Sequence, residues 1–133
     1  MKRFKIYFTK YDWSIEVFLI HCKPDIKTIL YRLEKAGSSD KVLDKAYECL
    51  TDNAKNTGFT YSNSSRRKSI MVINKSTSME EFINTYNHEK NHVEMHICEE
   101  FNIDPFSEQA AYLSGELASQ LYIPAVCSFL FNN

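Results

Sequence analysis

The sequence predicts an α+β fold in which a small sheet of three or four strands packs on helices. Short segments rich in Phe, Ile, Tyr and Val alternate with longer segments whose apolar residues recur at helical spacing. The 133 residues suit one domain, and a content of 44% hydrophobic and 14% aromatic residues is ample for a packed core at this length. We therefore expect residues 1–133 to form a single domain.

The first half of the chain is predicted to hold two strands followed by two helices. In order, they span about residues 4–8, 14–21, 24–36 and 40–52. Asp12 suits the turn between the strands. Pro24 suits the first turn of the first helix, and Gly37 should end it. Asp40 can cap the second helix, because its side chain can accept a hydrogen bond from a free backbone N–H.

The second half is predicted to hold two more strands and two long helices. They span about residues 59–61, 68–74, 79–101 and 104–122. A Ser-x-x-Glu capping box beginning at Ser78 marks the start of the third helix. Asp104 and Pro105 suit the cap and first position of the fourth. Pro124 should bend or end that helix, and the apolar tail after it should pack back on the domain.

Charge and cysteine usage exclude several classes of protein. The net charge is -1, and no basic stripe interleaved with aromatic residues is present, so we expect no nucleic-acid partner. No apolar stretch approaches the length of a membrane span, and the N-terminus lacks a signal-peptide pattern. The four cysteines form no CxxC pair, which argues against a zinc ribbon or a thioredoxin-type motif. A cytoplasmic protein with reduced thiols is the simplest interpretation.

One motif carries chemistry, and it lies inside the third predicted helix. Residues 88–92 read His-Glu-Lys-Asn-His, an HExxH pattern. His88 and His92 are four residues apart, so both imidazoles project from one helix face and can bind one Zn²⁺. Glu89 is rotated by about 100° and can act on a zinc-activated water as general base. The motif therefore predicts zinc-assisted attack of water on a carbonyl.

A catalytic zinc needs a third protein ligand, and spacing alone leaves its identity open. The fourth helix should return antiparallel to the third because the connection is short. A simple hairpin then brings Glu116 closest to the level of the histidines, whereas Glu108 would lie nearer the turn. His96 is one helical turn beyond His92, about 6 Å further along the axis, too far to share one ion with both histidines.

The second half of the chain, about residues 57–122, resembles small gluzincin-type zinc peptidases. The resemblance rests on the HExxH motif and on Glu-Gln-Ala-Ala at 108–111, which fits the E-x-x-A pattern of the following helix. It implies a zincin-like fold, a peptide or protein substrate, and zinc bound by His88, His92 and Glu108. Glu89 would be the general base, and Glu116 stays as the alternative ligand.

Two further features are expected to line the cleft of such a peptidase. The strand at 68–74, which directly precedes the motif helix, is the candidate for the edge strand that binds a peptide by strand addition in such folds, with an ordinary core strand as the alternative. Tyr112 either packs between the last two helices or donates a hydrogen bond to the developing oxyanion.

Two alternatives to a zinc peptidase remain. A peptide deformylase would use a cysteine as third ligand, and Cys49 is the candidate, although it falls in a predicted helix and lacks a neighbouring glycine. A metal-binding regulatory or interaction protein could instead retain a relic of a peptidase site without catalysis. In that case the metal would be structural, and its loss should unfold the protein.

Overall fold

A computed structural model describes residues 1–132, with only the backbone of Asn132. Within that range four strands and four α-helices follow one another, with one turn of 3-10 helix, Thr9–Tyr11, after the first strand. The elements are β1 (Lys2–Phe8), β2 (Trp13–Leu19), α1 (Ile26–Lys35), α2 (Asp40–Thr51), β3 (Gly58–Asn63), β4 (Lys68–Ile73), α3 (Met79–Glu100) and α4 (Glu108–Asn132). The predicted α+β class and the size of the sheet are confirmed.

The four strands form one mixed sheet in the order β1-β2-β4-β3. β1 pairs antiparallel with β2, β2 pairs parallel with β4, and β4 pairs antiparallel with β3. β4 is therefore a central strand, and the prediction that it forms the edge beside the motif helix is wrong. Its five consecutive buried residues, Ser69–Ile73, are typical of a strand covered on both faces. β3 is the edge strand on that side.

Each face of the sheet is covered by a different pair of helices, because successive side chains on a strand point to opposite faces. Trp13, Ile15 and Val17 of β2 belong to the core that includes buried residues of α3 and α4. Phe18 belongs to a second core that includes buried residues of α1 and α2. The motif helix and the N-terminal helices therefore lie on opposite sides of the sheet.

The first three helices start within two residues of their predicted positions. Asp25 caps α1 by accepting a hydrogen bond from the Thr28 N–H, so Pro24 precedes the helix instead of lying in its first turn. Ser39, one residue before the predicted Asp40, caps α2. Ser78 caps α3 as predicted, with Oγ accepting from the Glu81 N–H.

The last helix begins later and extends further than predicted. Asp104 accepts a hydrogen bond from the Phe106 N–H within a preceding turn, and Ser107 then accepts from the Ala110 N–H at the true start of the helix. α4 continues through Pro124 to Asn132, so of the two predicted effects of Pro124 the end of the helix is wrong, and the bend stays a prediction. Burial of Ala125 beyond the proline offsets the lost backbone hydrogen bond. None of the helices within residues 1–132 has the length and apolar character that crossing a membrane demands.

Candidate metal site

The motif helix α3 is held by its apolar side. Tyr86, Val93 and Ile97 are almost completely buried and recur at helical spacing, so they turn one stripe of α3 toward the sheet and α4. Glu89 is buried as well, whereas His88 and His92 are exposed. The packing of the stripe therefore fixes the rotation of the helix that presents both histidines to solvent.

The two histidines approach each other closely. Their Nε2 atoms lie 3.2 Å apart, and the rings meet edge to face at 80° with centroids 4.9 Å apart. Two nitrogens bound to one tetrahedral zinc at about 2.0–2.1 Å would lie about 3.3 Å apart. A ligand atom of Glu89 also lies within 4.8 Å of both histidine nitrogens. His88, Glu89 and His92 could therefore hold a metal ion, and their donor atoms fit zinc.

Strand β3 runs alongside α3 and supplies the partners of Glu89. The carboxylate accepts a hydrogen bond from the Thr60 hydroxyl at 3.2 Å. Two residues earlier on the same strand face, Gly58 allows the close approach, because a Cβ there would lie 3.1 Å from Glu89 Cγ and 2.4 Å from the carbonyl oxygen of Val72. The sequence pattern assigned neither Gly58 nor Thr60 to the site, because these contacts depend on how β3 packs on α3.

Burial dominates the electrostatics of Glu89, whose relative exposure is 3%. It raises the pKa of the carboxyl, and the Thr60 hydrogen bond and the two histidines only partly offset this. Within residues 1–132 no lysine or arginine forms an ion pair with it. Glu89 therefore lies beside the histidines as a buried acid with one hydroxyl donor.

His96 belongs to a separate hydrogen-bonded chain. Its Nδ1 lies 2.6 Å from the Ser62 hydroxyl, which lies 2.7 Å from that of Ser69, and Trp13 Nε1 donates to Ser69 at 2.8 Å. Because the indole is only a donor, Ser69 accepts from Trp13, whereas the Ser62–Ser69 and His96–Ser62 hydrogen bonds can each run in either direction. Among the described residues, His96 is not part of the group of ligand atoms that lie within 4.8 Å of one another, in line with the prediction that it is not a ligand. It is half-buried, and burial lowers its pKa.

α4 packs on the side of α3 that carries Lys90 and Glu94. Ser114 of α4 donates to Glu94 at 2.9 Å and lies 3.5 Å from the Lys90 ammonium, and Lys90 and Glu94 form an ion pair. The side chain of Glu94 is 13% exposed in this pair. His88 and His92 are each two residues from Lys90, a rotation of about 200°, so they lie on the opposite side of α3.

The structure therefore does not bring the α4 candidates to the histidines. Glu108, the first residue of α4, is exposed, as are Glu116 and Tyr112, the last at 61%. Among the described residues the candidate metal group consists of His88, Glu89 and His92 alone. Tyr112 also does not pack between the two helices.

Cys49 is remote from the motif. It lies in α2, on the opposite face of the sheet from α3, and its Sγ accepts a 3.6 Å hydrogen bond from Asn74 Nδ2. The deformylase alternative, which needs a cysteine at the two histidines, therefore has no support in this arrangement.

Comparison with known protein families, curated proteins and solved structures finds no match for this chain. The fold and site define an α+β protein with a possible metal-binding HExxH cluster on the solvent-facing side of a helix.

Proposed function

We propose that the chain is a zinc-dependent peptidase that hydrolyses a peptide or protein substrate, with His88 and His92 as metal ligands and Glu89 as general base. The observation that carries the proposal is the 3.2 Å separation of the two Nε2 atoms beside a buried carboxylate. Zinc at such a site supplies a Lewis acid that activates water and polarises the substrate carbonyl.

The role proposed for Glu89 follows from its surroundings. A general base works best when its pKa is near the working pH, and burial moves the pKa of Glu89 in that direction. A cation at the histidines would favour the ionised form, which is the form that accepts a proton from water. The Thr60 hydroxyl holds the carboxylate in place. Glu89 would then return the proton to the leaving amine.

Two parts of the peptidase proposal depend on the resemblance. Glu108 as third ligand, with Glu116 as the alternative, stays a prediction, and either residue would have to cross from the Lys90 side of α3. The strand for peptide binding is now proposed to be β3, because it is an edge strand beside α3 and its outer backbone groups can pair with an extended peptide.

A second candidate is a metal-binding regulatory or interaction protein without catalysis. It is favoured by one observation, the position of the α4 carboxylates on the side of α3 away from the histidines. A site with two exposed histidines can be completed by a side chain of a partner as readily as by a water molecule. The two candidates share the metal and differ in the role of Glu89.

The cellular location is proposed from the thiols. All four cysteines are free. Free thiols fit the reducing cytoplasm, and we propose that location.

The first experiment measures zinc content per chain by elemental analysis of untagged protein. Wild type should hold about one zinc, and His92→Ala should lose it, because one histidine cannot retain the ion alone. Asn91→Ala is the matched control, since Asn91 is an exposed neighbour on the same helix. Equal zinc in wild type and His92→Ala would refute the metal site.

Activity then separates the two candidates. Glu89→Gln keeps the shape of the side chain and removes the base, so it should keep zinc and lose cleavage in a peptide-library screen by at least about 100-fold. Zinc-loaded wild type that cleaves no more than Glu89→Gln would reject the peptidase and favour the binding protein.

A further inference from the structure

A second polar site lies on the opposite face of the sheet from the histidines. It is a cleft of about 280 Å³ between the C-terminal half of α1 and residues of β1, β2 and β4. Glu16 is the single carboxylate among the residues that line the cleft. Four basic side chains line it as well: Lys5, Arg32, Lys35 and Lys68. We propose that this cleft binds a phosphate group of a small anionic ligand.

The strand register explains how the charges converge. Lys5 of β1 lies directly across from Glu16 of β2, and Ser14 of β2 lies directly across from Lys68 of β4. Residues two apart on a strand share a face, so Ser14 and Glu16 point to the same side of the sheet. Further along that face the sheet becomes apolar and is covered by α1 and α2. The polar end is thus left open as a cleft.

Glu16 does not neutralise the lysines, because its oxygens are already bound. Arg32 donates to both of them, at 3.0 and 3.1 Å, and Arg3 donates to one at 3.0 Å. The carboxylate is 5% exposed, so it serves to hold the Arg32 guanidinium in one orientation. The third nitrogen of that guanidinium, Nη1, makes no hydrogen bond within residues 1–132 and remains available to a ligand.

The lysines around this arginine have no counter-charge of their own. Within residues 1–132 Lys5, Lys35 and Lys68 form no ion pair. Stabilisation of the C-terminal end of α1 accounts for Arg32 and Lys35 in its last turn. It does not account for Lys5 and Lys68, which come from two separate strands. Like charges gathered in a cleft concentrate an attractive potential for anions.

The donor set favours a phosphate over a carboxylate. A fixed guanidinium together with ammonium groups on several sides matches a dianion with three or more acceptor oxygens, whereas a carboxylate offers two oxygens and one charge. The volume exceeds what a single phosphate needs, and Tyr31, 54% exposed, lines the same cleft. The ligand is therefore free phosphate or a phosphate carried on a small organic molecule.

The test is a titration of the 15N-labelled protein with sodium phosphate, followed by NMR, against sodium chloride of equal ionic strength. We expect saturable shifts of amides around Ser14, Lys68 and the end of α1. Lys35→Gln should weaken binding about tenfold, the usual contribution of a hydrogen bond to a charged group. Lys27→Gln is the matched control, because Lys27 is an exposed lysine on α1 outside the cleft.

Each outcome decides the proposal. The proposal would be overturned if the shifts fail to saturate, if chloride reproduces them, or if they weaken equally in Lys27→Gln and Lys35→Gln. Such shifts would reflect general ionic screening. Acetate that binds as tightly as phosphate, with the same dependence on Lys35, would overturn the phosphate assignment. Phenyl phosphate that binds more tightly than phosphate would support the site and identify an organic phosphate as the ligand. Equal affinities would support it and identify free phosphate.

Discussion

Two glycines offer opposite tests of the packing around the candidate metal site. A Cβ on Gly58 would lie 2.4 Å from the Val72 carbonyl oxygen, 3.1 Å from Glu89 Cγ and 3.3 Å from the Thr85 methyl carbon. The first of these contacts is with the backbone of β4, which pairs with β3 at this point. Neither strand can relax without losing ladder hydrogen bonds. Gly58→Ala must therefore move β3 away from β4, from α3, or from both.

The expected cost is about 3 kcal/mol of unfolding free energy, at the upper end of what overpacking in a core usually costs. Gly115→Ala is the matched control, because it is the same substitution in the interior of α4 with no atom within 4 Å of the added Cβ. It should stabilise the protein by about 0.5–1 kcal/mol, since alanine is the better helix former. The two substitutions should thus differ in sign.

Urea unfolding followed by circular dichroism measures the unfolding free energy of both variants. If the dependence of that free energy on urea concentration is unchanged, the unfolding midpoints can be compared directly. A Gly58→Ala variant as stable as wild type would refute the proposed approach of β3 to α3. A loss of unfolding free energy in both Gly58→Ala and Gly115→Ala would show that the assay does not report the local packing.

Three further predictions follow from other parts of the chain. Because burial raises the pKa of Glu89, its neutral form stabilises the fold below the unfolded pKa, and that stability is lost as pH rises through the folded pKa. Metal-free Glu89→Gln should thus gain unfolding free energy over wild type near about pH 7 but not near about pH 4; an equal gain at both would contradict this. Burial, together with the N-terminal ammonium and Lys2, lowers the pKa of His21, so the NMR titration midpoint of this residue should fall below 6.5. The contribution of His21 to the unfolding free energy should decrease as the pH drops through that ordinary value. A midpoint at or above 6.5 would refute the prediction. Pro124→Ala should raise the unfolding free energy by about 1–3 kcal/mol if α4 is continuous there, and no gain in urea unfolding would mean that the helix breaks.

Local signals predicted most of the elements and the core of the site. The capping box at Ser78 and the apolar stripe of α3 gave the bounds of that helix and the presentation of His88 and His92. These features depend on residues within a few positions of one another, which is why the pattern alone sufficed. The placement of the two histidines on one face follows from their spacing of four residues in the helix itself.

Features that depend on tertiary packing could not be predicted in the same way. β4 is a central strand because β2, far away in sequence, pairs with it in parallel. The local sequence pattern did not indicate this crossover connection between β2 and β4. Glu94 is largely buried because α4 covers the side of α3 that carries Lys90. The side of α3 covered by α4 decides whether Glu108 can reach the histidines, and the length of the connection does not determine that side.

Three carboxylates within residues 1–132, of which Glu16 and Glu89 are buried and Glu94 is largely buried, differ in what balances their charge. Glu16 is bound by two arginines, and Glu94 is paired with Lys90. Glu89 is the most buried of them and forms no ion pair with a lysine or arginine within residues 1–132. A buried carboxylate without a cation is costly, and it either stays protonated or gains a positive partner. The side chains beside it are the two histidines whose nitrogens fit a zinc ion. A metal at that point would supply the missing charge, so zinc binding should lower the pKa of Glu89 and stabilise the fold.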